Sequence, residues 1–416
     1  MKRLIAILAL FASTSIASAE DWPQWLGAHR DGSTSEKIET WTTAPKTIWH
    51  VPVGAGFSTP VVAAGKVYVH ALIAESEKEE VIALDAKTGA VAWRTAYPRG
   101  DYRNAVTAGP QATPSVAGKR LFTFGITGIL SCFDTDSGKQ IWQVNPFQKL
   151  GVSLPRYGCC CSPLVVGNRV WAAVGGKGSS VVAFDADTGE IQWQGLDEPA
   201  STSSPVLFAS GGKESASLPD VVFMTTLRLV ALNPIDGNVN WTFPLAFQPS
   251  GTSPTPVIAG NTIVTSTQSN GATAVRVATE EGKATAAKVW QDKDVQGYFS
   301  SGVAQGDDSL FLVANQLKPL PRADLCCLDL KTGKELWKEK GVGYFHFGTI
   351  RCSNNKLLIL DDKGTVKLVE ASRKGYRELC HARACGGNLV TPALANGHLF
   401  ARDDKEIVCL QLSQAK

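Results

Sequence analysis

Short apolar runs that end on Asp or Asn, a polar turn carrying Gly, and a Trp that opens the next run recur along the chain. The clearest copy is ALDAKTGAVAW, Ala83 to Trp93, followed by CFDTDSGKQIW (Cys132 to Trp142), AFDADTGEIQW (Ala183 to Trp193), ALNPIDGNVNW (Ala231 to Trp241) and CLDLKTGKELW (Cys327 to Trp337). Each unit reads as two strands joined by a tight turn. The Asp or Asn side chain accepts backbone N–H groups of the turn, and the Gly supplies its positive-φ position. A Trp on a half-buried pleated surface packs one sheet against the next.

Tryptophans stand at positions 49, 93, 142, 193, 241, 290 and 337, in steps of 44 to 51 residues. A period of that length with several strands per unit predicts the blades of a β-propeller. Neither a regular Gly-His with Trp-Asp nor a kelch-type pattern is present. Two units are decayed: the turn before Trp290 is stretched through Thr279, Glu280, Glu281 and Gly282, and the seventh unit has Leu379 in the Trp place. The last is split, because EIVCLQL (Glu406 to Leu412) lacks an outgoing strand and TIWHVPV (Thr47 to Val53) precedes the first complete unit. The expectation is an all-β ring of eight four-stranded antiparallel blades. It spans residues 47–416 and closes where the N-terminal strand joins the C-terminal blade.

The repeat Ala-x-Asp-x-x-Thr-Gly-x-x-x-Trp resembles the PQQ-like (quinoprotein-type) propeller family over nearly all of the chain beyond its leader. Two branches of that resemblance imply different functions. One is similar to the scaffold lipoprotein of the outer-membrane β-barrel assembly machinery, which implies a non-catalytic protein- or ligand-binding propeller of the cell envelope without a cofactor. The other is the PQQ-dependent dehydrogenases, which implies oxidation of an alcohol or sugar with PQQ and Ca²⁺ held by carboxylates and amides.

Met1 to Ala19 has two basic residues, a short apolar core and the small-x-small pattern Ala17-Ser18-Ala19, as in a secretory signal peptide cleaved near Ala19. No apolar stretch reaches the roughly 20 residues needed to span a bilayer. No Cys follows the cleavage point to accept a lipid, so the expected product is periplasmic or secreted. Hydrophobic residues make up 44% and charged residues 19%, which suits a folded globular chain. The net charge of +3 falls to about +1 when Lys2 and Arg3 leave with the leader, so nothing points to nucleic acid. A monomer that binds an envelope protein or a small ligand is expected.

Residues 20–46 form an N-terminal arm, expected to be irregular with Trp22 and Trp25 tucked against a propeller face. Beyond it, Ser/Thr-Pro steps recur at Thr113-Pro114, Ser162-Pro163, Ser204-Pro205, Thr255-Pro256 and Thr391-Pro392. Pro cannot donate to a ladder, so it begins a strand, here the first strand of each blade at the channel mouth. The loops before these prolines bring Arg156, Tyr157, Tyr298, Tyr344, His346 and His381 to the mouth as candidate ligand-binding residues. Asp101, Asn104 and Asn388 are the oxygen ligands that a Ca²⁺ would find nearby.

Of ten cysteines, Cys132, Cys327 and Cys409 fall where other units have Ala, a small buried site, and are expected to be free thiols. Cys326 and Cys327 are strand neighbours that point to opposite faces, and Cys352 lies in a first strand. Cys380 and Cys385 are close enough in sequence to form a disulfide in a mouth loop of an exported protein. Cys159, Cys160 and Cys161 are further candidates. Their resemblance to the vicinal pair of some PQQ-dependent alcohol dehydrogenases implies a strained adjacent disulfide. Thiolates with His381 or His346 would suit copper or zinc, but the spacing matches no standard ligand pattern and no metal site is expected.

Overall fold

The computed structural model describes residues 20–102, 109–209, 218–245, 254–298, 300–317, 319–387 and 389–412. The leader 1–19, together with Asn104 and Asn388, lies outside the described residues.

Eight four-stranded antiparallel sheets follow one another round a central axis. Blades 1 to 7 occupy residues 61–98, 115–144, 164–195, 206–244, 257–292, 303–343 and 347–383. Blade 8 has three strands between residues 393 and 411, and its outermost strand is Lys46–Pro52 from the other end of the chain. Lys46 pairs with Gln411 and Pro52 with Glu406, so the ring closes as expected and the joint has no open sheet edge.

The register explains the repeat. In every blade but the seventh, the Trp of the outer strand stands opposite a small residue of the third: Trp93 opposite Ala83, Trp142 opposite Cys132, Trp337 opposite Cys327, Trp49 opposite Cys409. A bulge at the residue before the Trp follows each of these pairs. The indole reaches into the next blade. Trp49, Trp93, Trp142 and Trp290 donate their Nε1–H to the carbonyls of Ala86, Thr135, Ala186 and Leu330 at 2.8 to 3.1 Å. The same rings lie flat on the turn glycines Gly89, Gly138, Gly189 and Gly333. The motif Gly is thus required twice, for a φ near +70° and because a Cβ would strike the indole within 2.8 Å.

Blade 7 corrects the sequence expectation. Its bulge falls on Leu379, so Cys380, opposite Leu368, holds the register position of the Trp. Cys380 and His381 therefore belong to an outermost strand, Glu378–Arg383, and not to a mouth loop. The volume missing from Cys380 is made up by Leu368 across the pair and by Trp41 of the arm, which packs on the same cluster.

Candidate functional site

The first strands line the channel, and their Ser/Thr-Pro steps form a belt around it. Along much of the belt the Ser or Thr side chain accepts the backbone N–H of its counterpart one blade back: Thr59 N–H donates to Thr113 Oγ1, Thr113 to Ser162 Oγ, and Ser162 to Ser204 Oγ at 2.9 to 3.1 Å. Thr255 N–H donates to Ser301 Oγ at 2.8 Å in the same way. These hydroxyls tie adjacent blades at the inner edge while the tryptophans tie them outside.

The channel is not empty. Arg30, in a left-handed backbone conformation, is buried inside it. Its guanidinium donates to the carbonyls of Ser162, Pro163 and Pro205 and to Gln24 Oε1. Burial pulls its pKa down to about 10, and the neighbouring Cys161 thiol partly opposes that shift.

At the mouth, five of the six candidates come together. Tyr298 N–H donates to Asn315 Oδ1, and Asn315 Nδ2 donates to the Phe345 carbonyl, so one side chain clamps two adjacent loops. Asp362 accepts the backbone N–H groups of Tyr344, Phe345 and His346. Tyr344 and Phe345 are exposed and meet edge to face, with ring centroids 4.7 Å apart. His346 turns inward. Its Nδ1 lies 2.7 Å from Ser300 Oγ, its Nε2 has no protein partner, and burial lowers its pKa to about 4, so it is neutral at pH 7. From across the ring Tyr157 approaches, and burial together with its phenol pushes the Tyr298 hydroxyl pKa up. Arg156 lies over the Tyr157 ring at 5.6 Å from its centroid.

His381 does not join them. It is exposed on the outer strand of blade 7, paired opposite Lys367, with Nδ1 2.6 Å from Glu378 Oε1. The cysteine expectations divide. All ten are free. Cys132, Cys327 and Cys409 are buried opposite tryptophans, as expected. The Cys380–Cys385 bond is not formed: Cys380 is held in the extended outer strand, while the Cys385 thiol is buried and donates to the Arg402 carbonyl. Nor is any bond formed within the triplet. Cys159 packs in the cluster of blades 2 and 3, Cys161 in that of blades 3 and 4, and Cys160 donates to Gln111 Oε1 between them. Burial pushes the Cys160 pKa up to about 12 and that of Cys161 to about 11, which keeps both protonated.

Two buried features escaped the sequence reading: Arg30, and a His70–Tyr97–Glu79 network between blades 1 and 2. Tyr97 OH donates to Glu79 Oε2 at 2.7 Å, His70 Nε2 lies 2.7 Å from the same hydroxyl, and Glu79 Oε1 accepts Ile126 N–H of blade 2. The donors available among the described residues fit PQQ with Ca²⁺ poorly. Among the described residues no three His, Cys, Asp or Glu side chains converge as a cation cage, and Asp101 is exposed. A separate cavity of 480 Å³ between blades 6 and 7 is lined by Arg373 and Arg377, but Asp329 and Glu370 already pair with them.

The model of the PQQ_2 family, described as outer membrane protein assembly factor BamB, matches residues 40–105 and 77–339. The chain belongs to that family. It is 28% identical over 305 residues to the outer membrane protein assembly factor BamB of Yersinia pestis, covering 70% of this chain and 71% of that one. BamB of Moranella endobia is 25% identical over 308 residues, 70% of this chain and 72% of its own. The fold is shared with BamB from Moraxella catarrhalis, at 14% identity and a TM-score of 0.59 over 90% of this chain and 99% of the other. It is also shared with the quinohemoprotein alcohol dehydrogenase of Comamonas testosteroni, at 14% identity and a TM-score of 0.65 over 95% and 81%. Among the described residues no helix is long and apolar enough to cross a membrane.

Proposed function

We propose that the chain is an exported envelope scaffold that contributes to outer-membrane protein assembly and binds a protein partner at the open mouth of its channel. Family membership supports the assembly role, since the relatives carry it in their names. The mouth is chosen on one observation: the exposed Tyr344–Phe345 pair stands on a loop fixed by Asp362 and Asn315. Rigid aromatic side chains presented without an ordering cost are the usual anchors of protein interfaces. Tyr298, Tyr157 and Arg156 extend the same rim.

The test is complementation in the source organism. Deleting the gene lowers the level of outer-membrane β-barrel proteins, and the wild-type chain restores it. A Tyr344→Ala/Phe345→Ala chain, present at equal level, restores less than half. Full restoration by the double variant overturns the mouth as the docking site, and unchanged barrel levels in the deletion overturn the assembly role. Titration with PQQ and Ca²⁺ shows no saturable change in quinone absorbance; stoichiometric micromolar binding would favour the dehydrogenase.

A further inference from the structure

The arm makes contact with all eight blades. On blade 1, Trp22 exchanges two main-chain hydrogen bonds with Val62 at 2.8 and 2.9 Å, and Asp21 accepts the Ala64 N–H. On blade 2, the Pro23 carbonyl accepts Val116 N–H. Arg30 reaches blades 3 and 4, and Trp25 Nε1 donates to Thr255 Oγ1 of blade 5 at 2.8 Å. Gly32 lies against Val303 of blade 6, its carbonyl accepts Arg351 N–H of blade 7, and Glu36 accepts Gly397 N–H of blade 8.

Three properties mark this as ligand binding within one chain rather than as part of the ring. The eight sheets are complete without the arm, because closure begins at Lys46. The arm meets the inner strands of blades 1, 2 and 7 by their free main-chain edges, as a bound peptide adds to a sheet. Its deepest anchor, Arg30, holds the ring through the carbonyls of Ser162, Pro163 and Pro205, as a peptide side chain fills a pocket, and its loss would leave those buried acceptors without their donor. Exposed residues Thr42, Thr43 and Ala44 connect the arm to the ring.

We propose that the channel is a peptide-binding site whose resident ligand is the chain's own residues 20–39, a separable plug that seals the channel from one face. It enters where the turns between first and second strands lie, marked by its bonds to Ala64, Asn354 and Gly397. The opposite mouth is then the way in for any partner. This inference stands whether or not the scaffold reading holds.

A protease recognition sequence inserted after Thr43 of the full chain tests it. After folding and cleavage, the arm co-elutes with the ring in gel filtration, and excess fluorescent peptide of residues 20–40 replaces it saturably. The same peptide carrying Arg30→Ala binds at least tenfold more weakly, and the uncut chain takes up neither. Loss of the ring's circular dichroism on cleavage, or failure of the peptide to enter at millimolar concentration, overturns the proposal. Should the insertion prevent folding, hydrogen exchange in the intact Arg30→Ala chain decides. The Val62, Val116 and Arg351 amides exchange at least tenfold faster while second-strand amides keep their protection. A uniform loss across the blades, or no change at those three amides, overturns it.

Discussion

The joint between blades 2 and 3 and the joint between blades 4 and 5 both use a buried Trp, yet they are built differently. At the first, Trp142 donates to Ala186 O and lies on Gly189 of the neighbouring turn. At the second, the neighbouring turn is replaced by a long hairpin, Gly271–Glu280 with Lys283–Asp292, whose turn glycine, Gly282, has no ring against it. Trp241 turns its Nε1–H back to Asp220 Oδ2 of its own blade, and Ala284 and Ala286 of the hairpin cover its cluster. A regular joint is a directional latch of one hydrogen bond and one glycine. The decayed joint is closed by apolar contact between outer strands. The difference teaches that the turn decides how a joint is latched, since Trp241 is kept where the neighbouring turn is lost.

Trp142→Ala breaks the latched joint outright and costs about 4 kcal/mol by the usual range for large-to-small core changes, read as a fall in urea midpoint without a change in slope. The joint between blades 6 and 7 yields to acid instead. His346 reaches Ser300 across it and is held neutral, with a folded pKa of about 4 against about 6.5 when unfolded. The unfolded chain therefore takes up the proton first, and stability falls as pH drops from about 6.5 to 4, by roughly 3 kcal/mol in all. Unfolding followed across that range should show the slope, and His346→Gln should remove it. Gly189→Ala, which combines a φ of +74° with a Cβ 2.7 Å from the Trp142 ring, costs about 2–3 kcal/mol. Its counterpart Gly282→Ala, at φ +77° with nothing within 4 Å, costs about 1 kcal/mol, the backbone strain alone. Equal losses at the two glycines would mean that the indole contact contributes nothing.

The ring was legible because its determinants repeat. Asp85, Gly89 and Trp93 fix one turn and one joint, and finding them again at Asp134, Gly138 and Trp142 fixes the phase of everything between. Legibility failed where the pattern lapsed. In the seventh unit nothing marks the bulge at Leu379, so the phase slipped by one residue and two outer-strand side chains, Cys380 and His381, were placed at the mouth. The Ser/Thr-Pro steps announced the first strands, while the belt formed by their hydroxyls needed the neighbouring blade to be in place. The mouth tyrosines were found from loop position alone. Arg30 left no signal, because a single irregular segment has no period, and an Arg in a polar stretch reads as solvated. The same holds for Glu79, whose partners His70 and Tyr97 lie on neighbouring strands of its own blade.

Sharing one sheet between the two ends also imposes an order in time. Lys46–Pro52 precedes the seven complete blades and its partner Glu406–Gln411 follows them, so it must wait for the rest of the ring before it is paired. Blades 1 to 7 have all their strands in succession and can assemble as they emerge, whereas the eighth depends on the longest loop closure in the molecule. Until then the folding protein is an open arc with a bare edge at each end, and the pairing of its first and last strands is what turns it into a circle.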